Sequence, residues 1–273
     1  MKKPASKFAG FTRKYAALPY GVFMAVFVVF PLIVLLLYSF CEKTADGSLS
    51  FQFTFDNFKK VFSEDNFSML INSLLVGLYT TVICLLIGYP VAYLLANKNY
   101  NRSSVVVMLF MLPMWVNFLL RTLATKAMLE FFGISMGMGT VVFGMVYNFL
   151  PFMILPIYTT IQKIDYSLIE GAADLGASAR VTFWKVTVPL SLPGVFSGIT
   201  MVFTPTITTF AISKMLSNSK ISLIGDYIEQ QVKILNYNVA SAISFVIIII
   251  VGISMIILNK YDKESTNQGG GLW

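Results

Sequence analysis

The chain of 273 residues contains no histidine and only two cysteines, Cys41 and Cys84. Histidine is the commonest metal ligand and a frequent general base, so its absence argues against acid–base catalysis and leaves a metal centre nothing to build on. The apolar segments described below place Cys84 near the middle of a membrane span and Cys41 at the outer boundary. We therefore expect no disulfide, no metal site and no catalytic residues, which disfavours a membrane enzyme.

Charged residues are also scarce, at 12% of the chain against about 25% in a typical soluble domain. Hydrophobic residues make up 56% of the sequence, and the mean hydropathy is +0.74. This composition predicts a protein whose main solvent is lipid. The formal net charge of +7 would suggest nucleic acid in a soluble protein, but its distribution along this chain fits a membrane topology better.

Acidic residues are absent from every long apolar run, and no Gly-x-x-x-x-Gly-Lys-[Ser/Thr] phosphate loop occurs. Ion-driven transporters usually carry ionisable groups within their spans, and the missing loop is the common ATP-binding motif. A secondary transporter or channel acting alone is therefore disfavoured. If the chain transports actively, we expect a partner to supply the energy.

Six apolar runs are long enough to cross a bilayer, which requires about 20 residues. They are Leu18–Phe40, Met69–Ala96, Val105–Thr125, Thr140–Ile161, Leu192–Ser213 and Val239–Leu258. Strands of a membrane barrel need only about 10 alternating residues, so these continuous runs predict helices. The expected fold is an all-α integral membrane protein with six transmembrane helices.

The basic residues predict the orientation of these spans. Of the 20 Lys and Arg residues, 12 fall on the side that holds both ends of the chain. Cytoplasmic loops are enriched in such residues, so we expect both termini inside the cell. The first run is longer than a signal-peptide core and lacks an Ala-x-Ala site after it, so we interpret it as a retained signal-anchor helix.

Breaks and small residues mark the predicted spans. Six prolines lie within or at the edges of the runs: Pro31, Pro90, Pro113, Pro151, Pro156 and Pro205. Proline leaves a backbone carbonyl without its helical hydrogen bond, and in a membrane that carbonyl must be satisfied by neighbouring protein or by a water-filled cavity. The alternative is that proline is simply common in membrane helices. Gly194 and Gly198 form a Gly-x-x-x-Gly pattern, which we interpret as a helix-packing face.

Arg121 is the only charged residue inside a predicted span. Counted along a straight helix from Val105, it lies about 24 Å from the inner end, close to the outer interface. Two interpretations follow. Arg121 is either an anchor that extends to the headgroups, or part of an outer gate or of a contact with a binding protein.

The segment 162–191 predicts two short helices joined by a glycine elbow. Asp165 is a suitable N-cap, while Leu168, Ala172 and Leu175 share one helical face. Gly176 suits a left-handed helix stop. Ser178 can cap a second helix, which Pro189 is expected to end. Such a knob can dock another protein, although an ordinary interfacial helix pair fits the pattern equally well.

The same segment resembles a known family. Glu170-Gly-Ala-Ala-Asp-Leu-Gly176 followed by Val186-Thr-Val-Pro189 is similar to the EAA loop of binding-protein-dependent ABC importer permeases. Gly171 stands where that pattern has its first Ala, and Val186 and Val188 stand for Ile and Leu. The resemblance covers about residues 66–259 and implies the permease fold of type I ABC importers.

In that family the loop is the coupling helix, which inserts into an ATPase subunit. The resemblance therefore implies ATPase coupling by Leu168, Glu170, Gly171, Ala172, Ala173, Gly176 and Pro189. It also implies a second homologous permease chain, ATPase subunits that bind ATP and magnesium, and an external solute-binding protein. No cofactor is expected on this chain itself, and the expected location is the plasma membrane of a bacterium.

Three further stretches resemble the spermidine/putrescine permeases, namely residues 112–122, 204–213 and 223–231. Permeases for iron, thiamine and other small solutes share much of this pattern. A polycation could be attracted by the outer acids Asp226 and Glu229, and could then pass aromatic faces by cation–π attraction. The proposed path residues are Trp115, Arg121, Tyr147, Phe210, Asp226 and Glu229, with helix packing as the alternative role for the aromatic side chains.

The domain organisation follows from these assignments. Residues 1–17 are expected to form a cytoplasmic N-terminal segment, 18–259 the six-helix permease domain and 260–273 a cytoplasmic tail. Within the domain, 66–259 would be the core permease region and 162–191 the cytoplasmic coupling loop.

Overall fold

The structure is a computed structural model that describes residues 18–43, 49–97, 104–218 and 220–269. The predicted N-terminal segment 1–17 lies outside the described residues, as do residues 98–103 and the last four residues of the tail. The described part is helical apart from one small hairpin. This architecture confirms the predicted all-α membrane fold.

The helices follow from long apolar runs with few breaks. In chain order they are α1 (Leu18–Met24), α2 (Phe30–Phe40), α3 (Asp56–Val61), α4 (Glu64–Ala96), α5 (Ser104–Trp115), α6 (Phe118–Phe131), α7 (Met138–Gln162), α8 (Tyr166–Asp174), α9 (Ala179–Thr182), α10 (Val188–Thr208), α11 (Ala211–Leu216), α12 (Ile224–Lys233) and α13 (Tyr237–Gly269). Two π-helical turns, Ala25–Val29 and Phe183–Thr187, join α1 to α2 and α9 to α10.

The chain divides into two compact units. The first consists of residues up to Ser63 together with Gln231–Val246. In it, strand β1 (Cys41–Lys43) pairs antiparallel with strand β2 (Leu49–Phe53). The buried Asn57 amide donates to the carbonyls of Ser39 (3.1 Å) and Cys41 (2.9 Å). These hydrogen bonds hold α3 against the end of the first span, a connection that the sequence did not predict.

The second unit contains residues Glu64–Gln230 and the rest of α13. Its core is built by α4, α7 and α10, which bury one cluster around Met153 and Ile154 and another around Val141 and Met145. The start of α4 packs on the start of α7, since Val76 contacts the second cluster. The end of α4 packs on the end of α7 through Ala92. The two helices therefore run parallel.

The Gly-x-x-x-Gly face packs as predicted. A Cβ added to Gly194 would lie 2.7 Å from the Pro156 carbonyl oxygen, and one added to Gly198 would lie 2.7 Å from Sδ of Met153. Both glycines therefore allow α10 to approach α7 closely, which is the usual role of small residues between membrane helices.

Five of the six predicted spans are single apolar helices, but the third is broken. The prediction of one helix over Val105–Thr125 is wrong, because the described chain bends by 92° between Trp115 and Phe118. Asn117 is extended (ψ 129°), and its side chain accepts the Leu119 N–H at 2.8 Å. The asparagine thus caps a new helix at the point where α5 ends.

The fifth span also differs from its prediction. It runs from Ala179 to Thr208 rather than from Leu192 to Ser213, and Pro189 does not end a helix. The Val188 N–H bonds to the Phe183 carbonyl, five residues back. Pro189 therefore follows directly on the π-helical turn, within one continuous helix. The coupling segment and the span are consequently continuous.

Candidate functional site

The helix α8 presents an exposed apolar face. Leu168 is 48% exposed and Leu175 is 90% exposed, and α8 has no buried residue. Glu170, Gly171 and Ala173 are also exposed, whereas Ala172 is half-buried. The structure thus brings five of the seven residues implied by the resemblance onto one accessible helix, whereas Gly176 lies in the elbow after α8 and Pro189 lies in α10. Burying this face requires another molecule, because nothing in the described part of the chain covers it.

Local geometry fixes both ends of α8. At the start, Asp165 Oδ1 accepts the Ser167 N–H at 3.0 Å, which confirms the predicted cap and lowers the pKa of Asp165. At the end, Gly176 has a φ of +79°. The N–H of Ala177 bonds to the Ala172 carbonyl, and that of Gly176 bonds to the Ala173 carbonyl. These bonds form a Schellman motif, so the predicted elbow is confirmed.

The elbow leads into a helix anchored on α4. Ser178 has the backbone of an N-cap but makes no side-chain cap hydrogen bond. Further on, the Phe183 ring meets the rings of Tyr89 and Tyr93 edge-on, with centroids 6.0 and 5.0 Å apart. Tyr89 Oη also lies 2.8 Å from Ser191 Oγ. These contacts therefore connect the segment that follows α8 to both α10 and α4, so a displacement of α8 can be transmitted to both helices.

A second candidate site is a cleft of about 690 Å³ at the break between α5 and α6. It is lined by side chains from the break, from α7 and from the segment joining α10 to α11, among them Trp115, Arg121, Asn148, Phe149, Thr208 and Thr209. Trp115 and Arg121 were predicted as path residues, and the structure places both in this cleft. Tyr147 and Phe210 are exposed neighbours that do not line it.

Arg121 is buried in this cleft, which favours a role in a gate or contact over an anchor that extends to the headgroups. The residue is only 8% exposed, and its Nε and Nη1 atoms are buried without a hydrogen-bond partner. Asn148, which the sequence analysis missed, lines the same cleft and is 2% exposed. Its Nδ2 donates to the Gly144 carbonyl at 2.8 Å, while its Oδ1 has no partner. A polar residue in the middle of an apolar run was the signal that could have identified it.

The two outer acids lie together on α12. Asp226 is half-buried, and its Oδ2 accepts from Ser213 Oγ and the Leu223 N–H, both at 2.8 Å. Burial raises the pKa of Asp226 despite these two donors. Glu229 forms an ion pair of 2.7 Å with Lys214. Their role in attracting a cation stays a prediction, and both carboxylates also connect α11 to α12.

Comparison with known proteins identifies the family. Residues 8–261 match the binding-protein-dependent transport system inner membrane component family. The chain belongs to this family. It is thus a permease subunit of an ABC importer in the cell membrane, and the resemblance drawn from the coupling loop is confirmed.

Two relatives illustrate the match. Over 252 residues the chain is 31% identical to the spermidine/putrescine transport system permease protein PotB of Escherichia coli, covering 86% of this chain and 92% of that protein. The corresponding protein of Haemophilus influenzae is 31% identical over 255 residues, covering 87% and 89% of the two chains.

Solved structures share the family fold at lower identity. A chain of a bacterial ABC transporter involved in the import of the acidic polysaccharide alginate aligns with a TM-score of 0.64 and 17% identity, covering 93% of this chain and 96% of that one. A chain of the MetNI methionine transporter aligns with a TM-score of 0.63 and 18% identity, covering 75% and 99%. These alignments support the permease architecture.

Proposed function

We propose that this chain imports spermidine or putrescine as one of two permease subunits in a complex with two ATPase subunits and an external binding protein. The observation that carries the proposal is the 31% identity to PotB proteins along nearly the whole length of both chains. In this complex the chain itself is not catalytic. ATP and magnesium are bound by the ATPase partner.

Coupling to that partner uses the exposed face of α8. Leu168, Leu175 and Glu170 dock in a cleft of the ATPase, and closure of the ATPase moves the elbow at Gly176. The rings of Phe183, Tyr89 and Tyr93 carry this movement into α4 and α10.

The solute is a flexible polycation in this proposal. Trp115, which is 76% exposed at the cleft, offers an aromatic face worth about 0.5–2 kcal/mol to an ammonium group. Such weak contacts favour passage over trapping. Asp226 and Glu229 act only locally, because the Debye length is about 8 Å at physiological salt.

Uptake of labelled solutes tests the proposal directly. Cells with and without this chain should be compared for spermidine, putrescine, thiamine and ferric iron, with the chain restored from a plasmid as control. We expect loss of the chain to reduce polyamine uptake alone. If polyamine uptake is unchanged while that of another solute collapses, the polyamine assignment is wrong and the family assignment stands.

A second measurement separates an ATP-driven permease from a transporter acting alone. The purified chain in liposomes should move no polyamine, whereas the complete complex should do so only with ATP. Transport by the isolated chain would contradict the proposed dependence on the ATPase.

A further inference from the structure

The guanidinium of Arg121 points to an anionic partner that the described residues of this chain do not supply. Two of its nitrogen atoms are buried without a hydrogen-bond partner. None of the ion pairs among the described residues involves Arg121. A charge buried without a partner is strongly destabilising, and charged residues inside membrane proteins nearly always pair or face a pathway. Asn148 Oδ1 lines the same cleft and also lacks a partner, but it is neutral, so the described residues supply no anion that compensates Arg121.

The depth of the cleft argues against a lipid headgroup as the anionic acceptor. Asn148 lies ten residues into α7, about 15 Å from its outer end, and the hydrocarbon core is about 30 Å thick. Arg121 shares this cleft with Asn148. Moreover, α5 rises only about 18 Å before the chain turns by 92°. Measured along α5 and α7, the guanidinium thus lies about half a bilayer thickness from the helix ends, which argues against a lipid phosphate.

The proposed solute cannot be that acceptor either, because a polycation carries no anionic group to pair with Arg121. The acceptor must then come from a protein, and the cleft opens between apolar side chains such as Trp115 and Val116, which are 76% and 48% exposed. We propose that an Asp or Glu side chain of the second permease chain enters the cleft and pairs with Arg121. This inference rests on the proposed two-permease complex.

This pairing would serve both assembly and transport. It provides a charged contact that fixes how the two permeases align, and removing one member of such a buried pair leaves the other uncompensated. It also neutralises a positive charge that would otherwise oppose a cation in the same region.

Cross-linking in the assembled complex tests the contact. A photoreactive benzoylphenylalanine in place of Val116, at the rim of the cleft, should cross-link to the second permease, and mass spectrometry should locate the product beside an Asp or Glu. Cross-links confined to this chain or to lipid would overturn the proposal, whichever solute is transported.

Charge substitutions test the pairing itself. Arg121→Gln should reduce the amount of second permease retained by the purified complex by at least about tenfold, and Arg121→Lys should retain more. Lys126→Gln is the matched control, because Lys126 lies on the same helix and contacts Glu130 at 3.9 Å. In an Arg121→Glu background, a Lys at the cross-linked acidic position should restore assembly.

Two outcomes would refute the pairing. Retention in Arg121→Gln equal to that of the wild type would show that the guanidinium does not hold the partner. A carboxylate-bearing solute could instead raise the melting temperature of the wild-type complex. If this stabilisation were lost in an Arg121→Gln complex that is still monodisperse, the cleft would be assigned to solute rather than to the second permease.

Discussion

At Gly176 the backbone has a φ of +79°, and a Cβ built there would meet no heavy atom within 4 Å. The constraint at this residue is therefore conformational rather than steric. Gly171, five residues earlier, also has open space around it but lies within α8. These two glycines allow the elbow and the helix to be tested separately.

Gly176→Val should uncouple ATP hydrolysis from transport. A left-handed conformation costs an L-residue about 1–2 kcal/mol, and a β-branched side chain resists it further. The ATPase rate and solute uptake of the reconstituted complex should both be measured. Gly176→Asn should keep most of the coupling, since Asn tolerates this conformation, and Gly171→Ala should stabilise α8 by about 1 kcal/mol. Equal coupling in the Val and Asn variants would contradict the role of the elbow.

The glycines between α7 and α10 give a graded prediction. Gly194→Ala should destabilise the protein most, because its Cβ would meet the Pro156 carbonyl oxygen of the backbone. Gly198→Ala should cost less, because its nearest contact is the flexible Met153 side chain. Overpacking of this kind costs about 1–3 kcal/mol. Gly252→Ala, with nothing within 4 Å, is the control. Thermal melting in detergent should rank the three variants in this order.

Asp226 predicts a pH dependence of stability. Its pKa is raised above the ordinary 3.8, chiefly by burial, so the folded protein binds this proton more tightly than the unfolded chain. The free energy of unfolding should therefore rise as the pH falls through the folded pKa towards 3.8. Asp226→Asn should have a larger free energy of unfolding than the wild type near neutral pH, and this difference should vanish at about pH 4. A difference independent of pH would contradict this assignment.

At the scale of elements, the segment Ala179–Thr208 joins the coupling elbow to the membrane without interruption. Phe183 lies in its π-helical turn and contacts two tyrosines of α4. This arrangement makes the turn a mechanical connection between the cytoplasmic knob and two spans.

Phe183→Ala should reduce transport more than ATP hydrolysis, because it removes the ring contacts with Tyr89 and Tyr93 while leaving α8 free to dock. Trp184→Ala is the matched control, since Trp184 is the next residue and is 63% exposed. Its ring contacts that of Phe183 (centroids 5.3 Å apart), so this substitution leaves the contacts of Phe183 with the two tyrosines in place. The ratio of solute transported to ATP hydrolysed should fall for the first variant alone. A fall of the same size in both variants would indicate general damage to the loop.

The elements that depend on a local sequence pattern were predicted correctly. The helix breaks that depend on tertiary structure were not. The six apolar runs, the Asp165 cap and the Gly176 stop are local signals. The bend at Asn117 is not, because an asparagine within an apolar run can equally remain helical. Pro189 was misjudged because proline stops a helix or begins one according to the backbone before it, and the π-helical turn leaves no distinct periodicity. The Arg121–Asn148 cleft depends on that bend.

For the whole molecule, the parallel packing of α4 and α7 decides the number of crossings. Both helices are long enough to span the bilayer. The first half of α4 packs against the start of α7, and the end of α4 packs against the second half of α7. The chain can enter two parallel spans in succession only if it returns across the membrane between them. We therefore expect the bent pair α5 and α6 to cross as one span. With the other five candidate spans this gives six crossings, which predicts that both termini lie on the same side.

Cysteine labelling with a membrane-impermeant maleimide tests this topology. The native Cys41 and Cys84 are both buried, so single added cysteines at exposed positions report on their own side. Lys59→Cys and Ser135→Cys should react in intact cells, whereas Asp174→Cys and Lys260→Cys should react only after permeabilisation. Ser135 is decisive, because it lies between α6 and α7. If the bent pair turned back without crossing, Ser135→Cys would be protected in intact cells and Lys260→Cys would be labelled instead.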